Sequence, residues 1–365
     1  MDLKIKSKNE CEYDMVALGE VMLRFDPGEG RIRTARTFRV WEGGGEYNVS
    51  RALHKCFGLK TGIITAIADN EVGRLVEDLI EQGGVSTSLI VHKQTDGIGK
   101  LCRNGINFTE RGFGIRGALS CSDRANTAIS QAAAEDFDFE YIFGELGVRW
   151  FHTGGIYAAL SEESQNTVIE ACKTAKKYGT IVSYDLNFRQ SLWETCGGIE
   201  RARQINREIV RYADVLIGSE EDFVMCLGYE TEEIDSSFKD LNVESFKRIL
   251  LKTSSDFPNI RVIANMLHTV KTASVNDWKA LCWSEGNICM SDEYNDLEVL
   301  DRVGIGDSFA AGFIYGLMTT DDPSLAVNYG AAHGALAMTT PGDTSMATLS
   351  EVEAVMNKSG ARVKR

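Results

Sequence analysis

Asp301-Arg302-Val303-Gly304-Ile305-Gly306-Asp307-Ser308-Phe309-Ala310-Ala311-Gly312-Phe313 is the stretch on which the reading of this 365-residue chain turns. Gly304 and Gly306 let the backbone come close to a ligand. The run from Asp307 to Met318 reads as a helix, with Phe309 and Phe313 one turn apart and Ala310, Ala311, Ile314 and Leu317 between and beyond them. A helix that is apolar almost all round is buried. Its first N–H groups lack intrahelical partners and point at whatever lies over the glycines, and such an end favours anions, phosphate above all. Asp307 is then either a first-turn cap or a base held beside the phosphate. Taken alone, G-x-G-D before a helix reads first as a capped core helix.

Working outward, Gly43-Gly44-Gly45-Glu46-Tyr47-Asn48 precedes a helix expected over Val49–Phe57. Three glycines make either a flexible turn or a place where a ligand lies on bare backbone, with Asn48 offering a donor and an acceptor at the helix start. Residues 15–25 read as one strand. From Lys60 the chain alternates: strand Ile63–Ala68, then a helix capped by Asp69-Asn70 with Val72, Leu75, Val76, Leu79 and Ile80 on one face, then strand Leu89–His92. Helices near Glu163–Tyr178, Ile199–Tyr212, from Ser219 and near Val243–Thr253 are interleaved with strands Ile181–Asp185, Val215–Gly218 and Arg261–Asn265. Short apolar strands alternating with amphipathic helices indicate an α/β fold with a parallel sheet covered on both faces, whose ligands sit beyond the carboxyl ends of the strands. Residues 26–41 and 94–120 break the alternation and are polar and rich in Gly and Arg. With the strand before them they are expected to form a small sheet over the strand ends, a lid. Glu230–Asp240 reads as a surface excursion.

Two arginines stand out, Arg124 in Ser122–Ala128 and Arg189 just past the strand ending at Asp185. A guanidinium beyond a strand end can grip a carboxylate or phosphate bidentately. Each taken singly reads as a surface ion-pair partner. Two of them near a phosphate-type loop suggest a substrate with a carboxylate as well as a hydroxyl to be phosphorylated.

Composition narrows the class. Hydrophobic residues make up 43% and charged ones 25%, enough to bury a large core, and the net charge of −14 argues against nucleic acid or anionic lipid as partners. Nine scattered cysteines without a C-x-x-C pair imply reduced thiols in the cytoplasm. No run approaches about 18 apolar residues and the N-terminus has no apolar core, so neither export nor membrane insertion is expected. The five histidines show no ligand spacing, and His152 and His333 read as packed or capping residues. No G-x-G-x-x-G follows the strand at Ala17–Glu20, which sets a nucleotide-dependent dehydrogenase aside.

Gly304-Ile305-Gly306-Asp307 with Phe309-Ala310-Ala311-Gly312-Phe313 resembles the C-terminal signature of the ribokinase-like (PfkB) sugar kinases, and Gly43–Asn48 resembles their N-terminal substrate motif. Within them, Gly-Gly-x-Glu-x-Asn together with Asp185-x-Asn187-x-Arg189-x-x-Leu192-Trp193 and Asp123-Arg124-Ala125 is most similar to 2-keto-3-deoxygluconate kinases, from about Met15 to Thr348. The resemblance implies a single doubly wound, mostly parallel α/β domain over 1–365, with a small β lid from about 20–41 and 94–125 that often mediates homo-oligomers. It implies ATP and Mg2+, and for some members a monovalent cation such as K+. Asp307 would be the base that takes the proton from a primary hydroxyl, and the N–H groups around Gly304, Ile305 and Gly306 the anion hole for the transferred phosphoryl. Gly44, Gly45, Asn48 and Asn187 would hold the sugar, and Arg124 and Arg189 its carboxylate. Adenine would lie along Ser324–Met338 and Thr339–Asp343, which brings in Ala335 and Thr339. Ser219 and Asp222 stand where the family has Asn-x-x-Glu; no side chain binds the metal directly, and Asp222 would reach it through water.

The chain also departs from the family. Asp-Thr-x-Gly-Ala-Gly-Asp is here Asp301-Arg302-Val303-Gly304-Ile305-Gly306-Asp307, and Met266–Lys271 replaces a Lys-x-Gly-x-x-Gly nucleotide loop. The lid tyrosines of keto-deoxygluconate kinases have no counterpart beyond Tyr47. A kinase for fructose, ribose or 5-keto-2-deoxygluconate, or a sugar sensor on the same fold, are the alternatives.

Overall fold

A computed structural model describes residues 3–229 and 243–359. Strand β1 (Tyr13–Leu18) enters the main sheet, and β2 (Met22–Asp26) and β3 (Arg39–Gly43) form a hairpin outside it. Helix α1 (Gly45–Lys55), β4 (Thr61–Ala68), α2 (Glu71–Gln82) and β5 (Ile90–Lys93) follow, then β6 (Ile106–Glu110) and β7 (Leu119–Asp123). Next come β8 (Val148–Gly154), α3 (Gly155–Ala158), α4 (Glu162–Lys177), β9 (Ile181–Asp185), α5 (Gln190–Thr195), α6 (Gly198–Val210), β10 (Val215–Gly218), α7 (Glu220–Leu227) and α8 (Val243–Asp256). The chain ends with β11 (Val262–Thr272), β12 (Val275–Ser284), β13 (Asn287–Met290), β14 (Tyr294–Glu298), α9 (Ile305–Thr320), α10 (Pro323–Ala337) and α11 (Leu349–Met356).

The main sheet runs β13-β12-β11-β10-β9-β8-β1-β4-β5, with β14 paired to β12. Every pairing from β11 to β5 is parallel. Strands β1, β4 and β9 are buried along their whole length, as a sheet covered on both faces requires. One apolar layer gathers around Val168, Ile205 and Phe223 of α4, α6 and α7; the other gathers around Leu53, Phe309 and Ala331 of α1, α9 and α10. Phe309 and Phe313 are fully buried and stack at 5.6 Å, so the helix after the glycine loop is core on all sides. The doubly wound, mostly parallel expectation is what the structure shows. From β1 the chain winds outward to β4 and β5, then returns to build β8, β9, β10 and β11 on the other flank. That reversal opens a crevice at the carboxyl ends of β1 and β8.

The second sheet, β3-β2-β6-β7, lies outside the main one and is built from the two stretches that broke the alternation. Four readings are corrected. Residues 15–25 are two strands in two sheets, because Gly19-Glu20-Val21 turns the chain out of the core. Helix α1 starts at Gly45, four residues early, so Asn48 lies within its first turn. In α2, Asn70 is the cap, accepting from Gly73 N at 2.9 Å, but the inward stripe is Gly73, Val76 and Ile80 while Val72 and Leu75 face outward. Strand β11 runs past Asn265 to Thr272 and continues into an antiparallel meander, β12–β14. The Glu230–Asp240 excursion falls outside the described residues. His333 is packed as expected, its ring nitrogens 2.6 Å from Ser308 O and 2.7 Å from Ser345 Oγ; His152 meets Ser183 Oγ at 2.8 Å. All nine cysteines are unpaired. Among the described residues no helix is long and apolar enough to cross a membrane.

Candidate active site

A cleft of about 850 Å³ opens at the carboxyl ends of β1, β9 and β10, beneath the accessory sheet. Its floor is the N-terminus of α9. Gly304 caps that helix at φ +75°, where a Cβ would overlap the Asp343 carbonyl oxygen, so only glycine fits. Ser308 N closes onto Gly304 O at 2.9 Å. The N–H groups of Ile305, Gly306 and Asp307 occupy the first turn, where a helix supplies no acceptor. These donors lie at the cleft, where the sequence reading expects an anion, and Ile305 leaves its own N–H in place.

Asp307 is the third residue of α9 and not its cap. Its Oδ2 accepts from Asn48 Nδ2 at 2.7 Å, joining two motifs 259 residues apart. Burial pushes its carboxyl up to about 6, helped by the charge of Asp343 and opposed by the Asn48 bond and Arg189. Asp307 therefore sits near the poise of a general base at neutral pH. Gly45 supplies the space in front of it: a Cβ there would lie 3.4 Å from Asp307 Oδ1 and 3.8 Å from Asn187 Nδ2. Gly44 is required for a different reason, since a Cβ would overlap the Glu20 carbonyl oxygen.

The arginines separate in role. Arg124 lines the cleft but is engaged, its Nε donating to Glu20 Oε2 at 2.8 Å with a second contact through Nη2. Arg189 also lines the cleft; its Nη1 donates to Phe188 O at 2.8 Å, and no carboxylate pairs with it among the described residues. Asn187 is held between them in chain order at φ +30°, its N–H on Asp185 Oδ1 at 3.2 Å.

Sequence reading passed over several carboxylates of this site. Glu46 is buried between the ends of β1 and β8, where a side chain on Gly19 or Gly154 would collide with it. Burial, with a smaller contribution from Asp307, pushes Glu46 up to about 8, so it is largely protonated at neutral pH and can donate. Burial, then the charges of Asp222 and Asp307, raises Asp185 well above the usual carboxylate range. Under the accessory sheet, Arg24 is 1% exposed and bridges Asp301 Oδ2, at 2.7 Å, and Asp343. A charged residue at or just past the end of a buried strand was the available signal for Asp185 and Glu20. Nothing local marks the Arg24 triad.

The nucleotide-side candidates fare unevenly. Ser219 caps α7, and both oxygens of Asp222 are occupied: Oδ2 accepts from Ser219 N at 2.7 Å and Ser219 Oγ at 2.6 Å, and Oδ1 from Phe188 N at 2.7 Å. Asp222 thereby fixes the loop that carries Arg189, while Glu221 beside it also faces the cleft. Ala335 is packed in the core and the Thr339 hydroxyl closes onto Leu336 O at 2.6 Å, so in place of both it is Met338 that lines the cleft. Among the described residues no three His, Cys, Asp or Glu side chains gather as a metal cage.

Comparison with known proteins agrees with this geometry. The description "pfkB family carbohydrate kinase" matches residues 13–256 and 280–349. The 2-dehydro-3-deoxygluconokinase of Thermotoga maritima superposes with a TM-score of 0.85 and 32% identity, over 95% of this chain and 99% of that one. The 2-dehydro-3-deoxygalactonokinase of Haloferax volcanii is 28% identical over 353 residues, 96% of this chain and 99% of its own. The 5-dehydro-2-deoxygluconokinase of Geobacillus kaustophilus is 28% identical over 346 residues, 93% and 92% of the two chains. A glycine-lined helix end, a buried carboxylate poised before it and a match over most of the length lead to one assignment: the chain belongs to the pfkB family of carbohydrate kinases and is an ATP-dependent sugar kinase.

Proposed function

We propose that the substrate is a small keto-deoxy sugar acid, 2-keto-3-deoxygluconate first among them, phosphorylated on its primary hydroxyl. The observation that carries this reading is Arg189, a guanidinium in the same cleft as Asp307 with no carboxylate partner among the described residues. A sugar carboxylate would supply one. The relatives named above act on acids of this kind. Arg124 enters the reading differently from the sequence expectation: already bound to Glu20, it must exchange that partner or orient Glu20 toward sugar hydroxyls.

In the reaction, Asn48 holds Asp307 so that its free oxygen faces the space left by Gly45, where the hydroxyl would lie. Asp307 accepts the hydroxyl proton as the oxygen attacks, and the first-turn N–H groups of α9 stabilise charge on the moving phosphoryl. Glu46, protonated, is a donor to a sugar oxygen. The donor set fits a magnesium ion carried mainly by nucleotide phosphates and water, with Glu221 the available carboxylate. When bound, that ion neutralises phosphate charge. The resemblance also implies self-association through the accessory sheet, where Val40, Phe113, Ile115 and Leu119 are exposed.

The test is ADP release with MgATP across neutral sugars and sugar acids, including the galacto epimer and 5-keto-2-deoxygluconate. Turnover should be confined to sugar acids, fall by about 10²–10⁴ in Asp307→Asn, and show a KM raised about tenfold or more in Arg189→Ala. Equal turnover of neutral sugars with Arg189 dispensable would move the substrate out of the acid class.

A further inference from the structure

We propose that Arg302 binds the polyphosphate of the nucleoside triphosphate, held over the cleft by the turn between β11 and β12. The inference rests on the kinase reading and assigns a residue where the family pattern has threonine. Arg302 lies two residues before Gly304 and lines the same cleft, on the flank formed by Met266, His268, Asn276 and Trp278 of the β11–β12 hairpin. The sugar-side groups Glu20, Asn48, Asp185 and Asn187 come from the ends of β1 and β9 and from α1, on the other side of β10 in the sheet. The first-turn N–H groups of α9 lie just after Arg302 in the chain, and Asp307 stands beyond them, bonded to Asn48.

Charge accounting points the same way. Arg124 is cancelled by Glu20, and Arg189 belongs to the loop after β9. Arg302 is half-buried, and its Nη2 donates to two neutral oxygens, Thr272 O at 3.0 Å and Asn276 Oδ1 at 2.6 Å. Its Nε is buried with no hydrogen-bond partner among the described residues. A buried cationic N–H with no acceptor and no anion opposite is costly. A phosphate oxygen would supply both the missing charge and the missing acceptor, and a guanidinium is shaped to take two such oxygens at once.

The anchoring turn has a second attachment. Ala273 N donates to Gly114 O at 2.8 Å, and Gly114 N to Ser274 Oγ at 2.8 Å, so the loop between β6 and β7 of the accessory sheet is fastened to the residues that hold Arg302. The turn that holds the guanidinium is thus braced by the accessory sheet before any phosphate arrives.

The experiment compares wild type, Arg302→Met and Arg302→Lys by calorimetric titration with MgADP and with AMP, alongside steady-state kinetics. Loss of one charge-assisted hydrogen bond, the least the assignment requires, predicts MgADP affinity weakened about 10–100-fold in Arg302→Met, with KM for ATP rising in parallel. AMP affinity and KM for the sugar should change less than twofold, and Arg302→Lys should recover part of the loss. Unchanged MgADP affinity in a variant with a wild-type melting curve would overturn the assignment. So would a loss confined to KM for a sugar acid, which would place Arg302 on the substrate carboxylate. Binding of MgADP against AMP is measured without any sugar, so a wrong substrate class leaves this result readable.

Discussion

Replacing Gly45 by alanine separates folding from chemistry. Gly45 is the first residue of α1 and its backbone is not in the left-handed region, so alanine can take its place. The added methyl would stand 3.4 Å from Asp307 Oδ1 and 3.8 Å from Asn187 Nδ2, ordinary contact distances that demand no movement. Restricting the unfolded chain should therefore stabilise the fold by about 0.4–1 kcal/mol, a rise in melting temperature of a few degrees at most. The same methyl fills the space into which the substrate hydroxyl must come, within hydrogen-bond reach of Asp307. A displacement of about 1 Å at a reacting centre costs roughly 10²-fold. Gly45→Ala should thus melt at or slightly above wild type while kcat/KM falls about a hundredfold, measured by coupled ADP release and differential scanning calorimetry. A variant with kcat/KM within twofold of wild type would show that the hydroxyl does not approach Asp307 from the Gly45 side. Gly44→Ala is the contrast, since its methyl meets the Glu20 backbone and should cost stability instead.

Asp307 acts as a base only when ionised and is raised to about 6, so kcat/KM should climb with pH through about 6 and level off above it; the Asp343 charge contributes to that rise, so Asp343→Asn should move the acid limb to lower pH, and a limb that stays or moves up would refute the coupling. Arg24→Met should leave Asp301 and Asp343 buried without their cation and cost about 3–5 kcal/mol in urea denaturation, with most of the loss recovered when both aspartates become asparagine.

What could be read from the chain and what could not have separate physical origins. The glycine loop and its helix were legible because local geometry and burial coincide there: Phe309 and Phe313 must be core, and Asp307 must then stand in the first turn, at the end that faces the cleft. The parallel core was legible for the same reason, since Ile63–Ala68 of β4 is apolar but for Thr65. Residues 15–25 were misread because Met15–Leu18 and Met22–Phe25 are both largely apolar, and only Gly19-Glu20 and the charge of Arg24 mark the passage from one sheet to another. The β12–β14 meander escaped notice because β13 and β14 are short and largely exposed and Asn276, Asp277 and Lys279 interrupt the apolar residues of β12. Asp222 also completes the cap of Ser219 and holds Phe188 N, a structural part that its place in a motif does not announce. The Arg24 triad joins residues 277 and 319 positions apart. Such a pairing is set by how the chain winds, and no window of sequence contains it.

The accessory sheet is tied to the main body by short spans that themselves carry ligand-facing residues. Glu20 lies between β1 and β2, Gly44 between β3 and α1, and Arg124 directly after β7. Anything gripping these residues therefore touches the joints between the two sheets. The buried pairing of Arg24 with Asp301 and Asp343, and the contacts of Gly114 with Ala273 and Ser274, fasten the same sheet to the main body elsewhere. A ligand in the cleft thus meets walls braced at several points before it arrives, and less ordering entropy is lost when it binds.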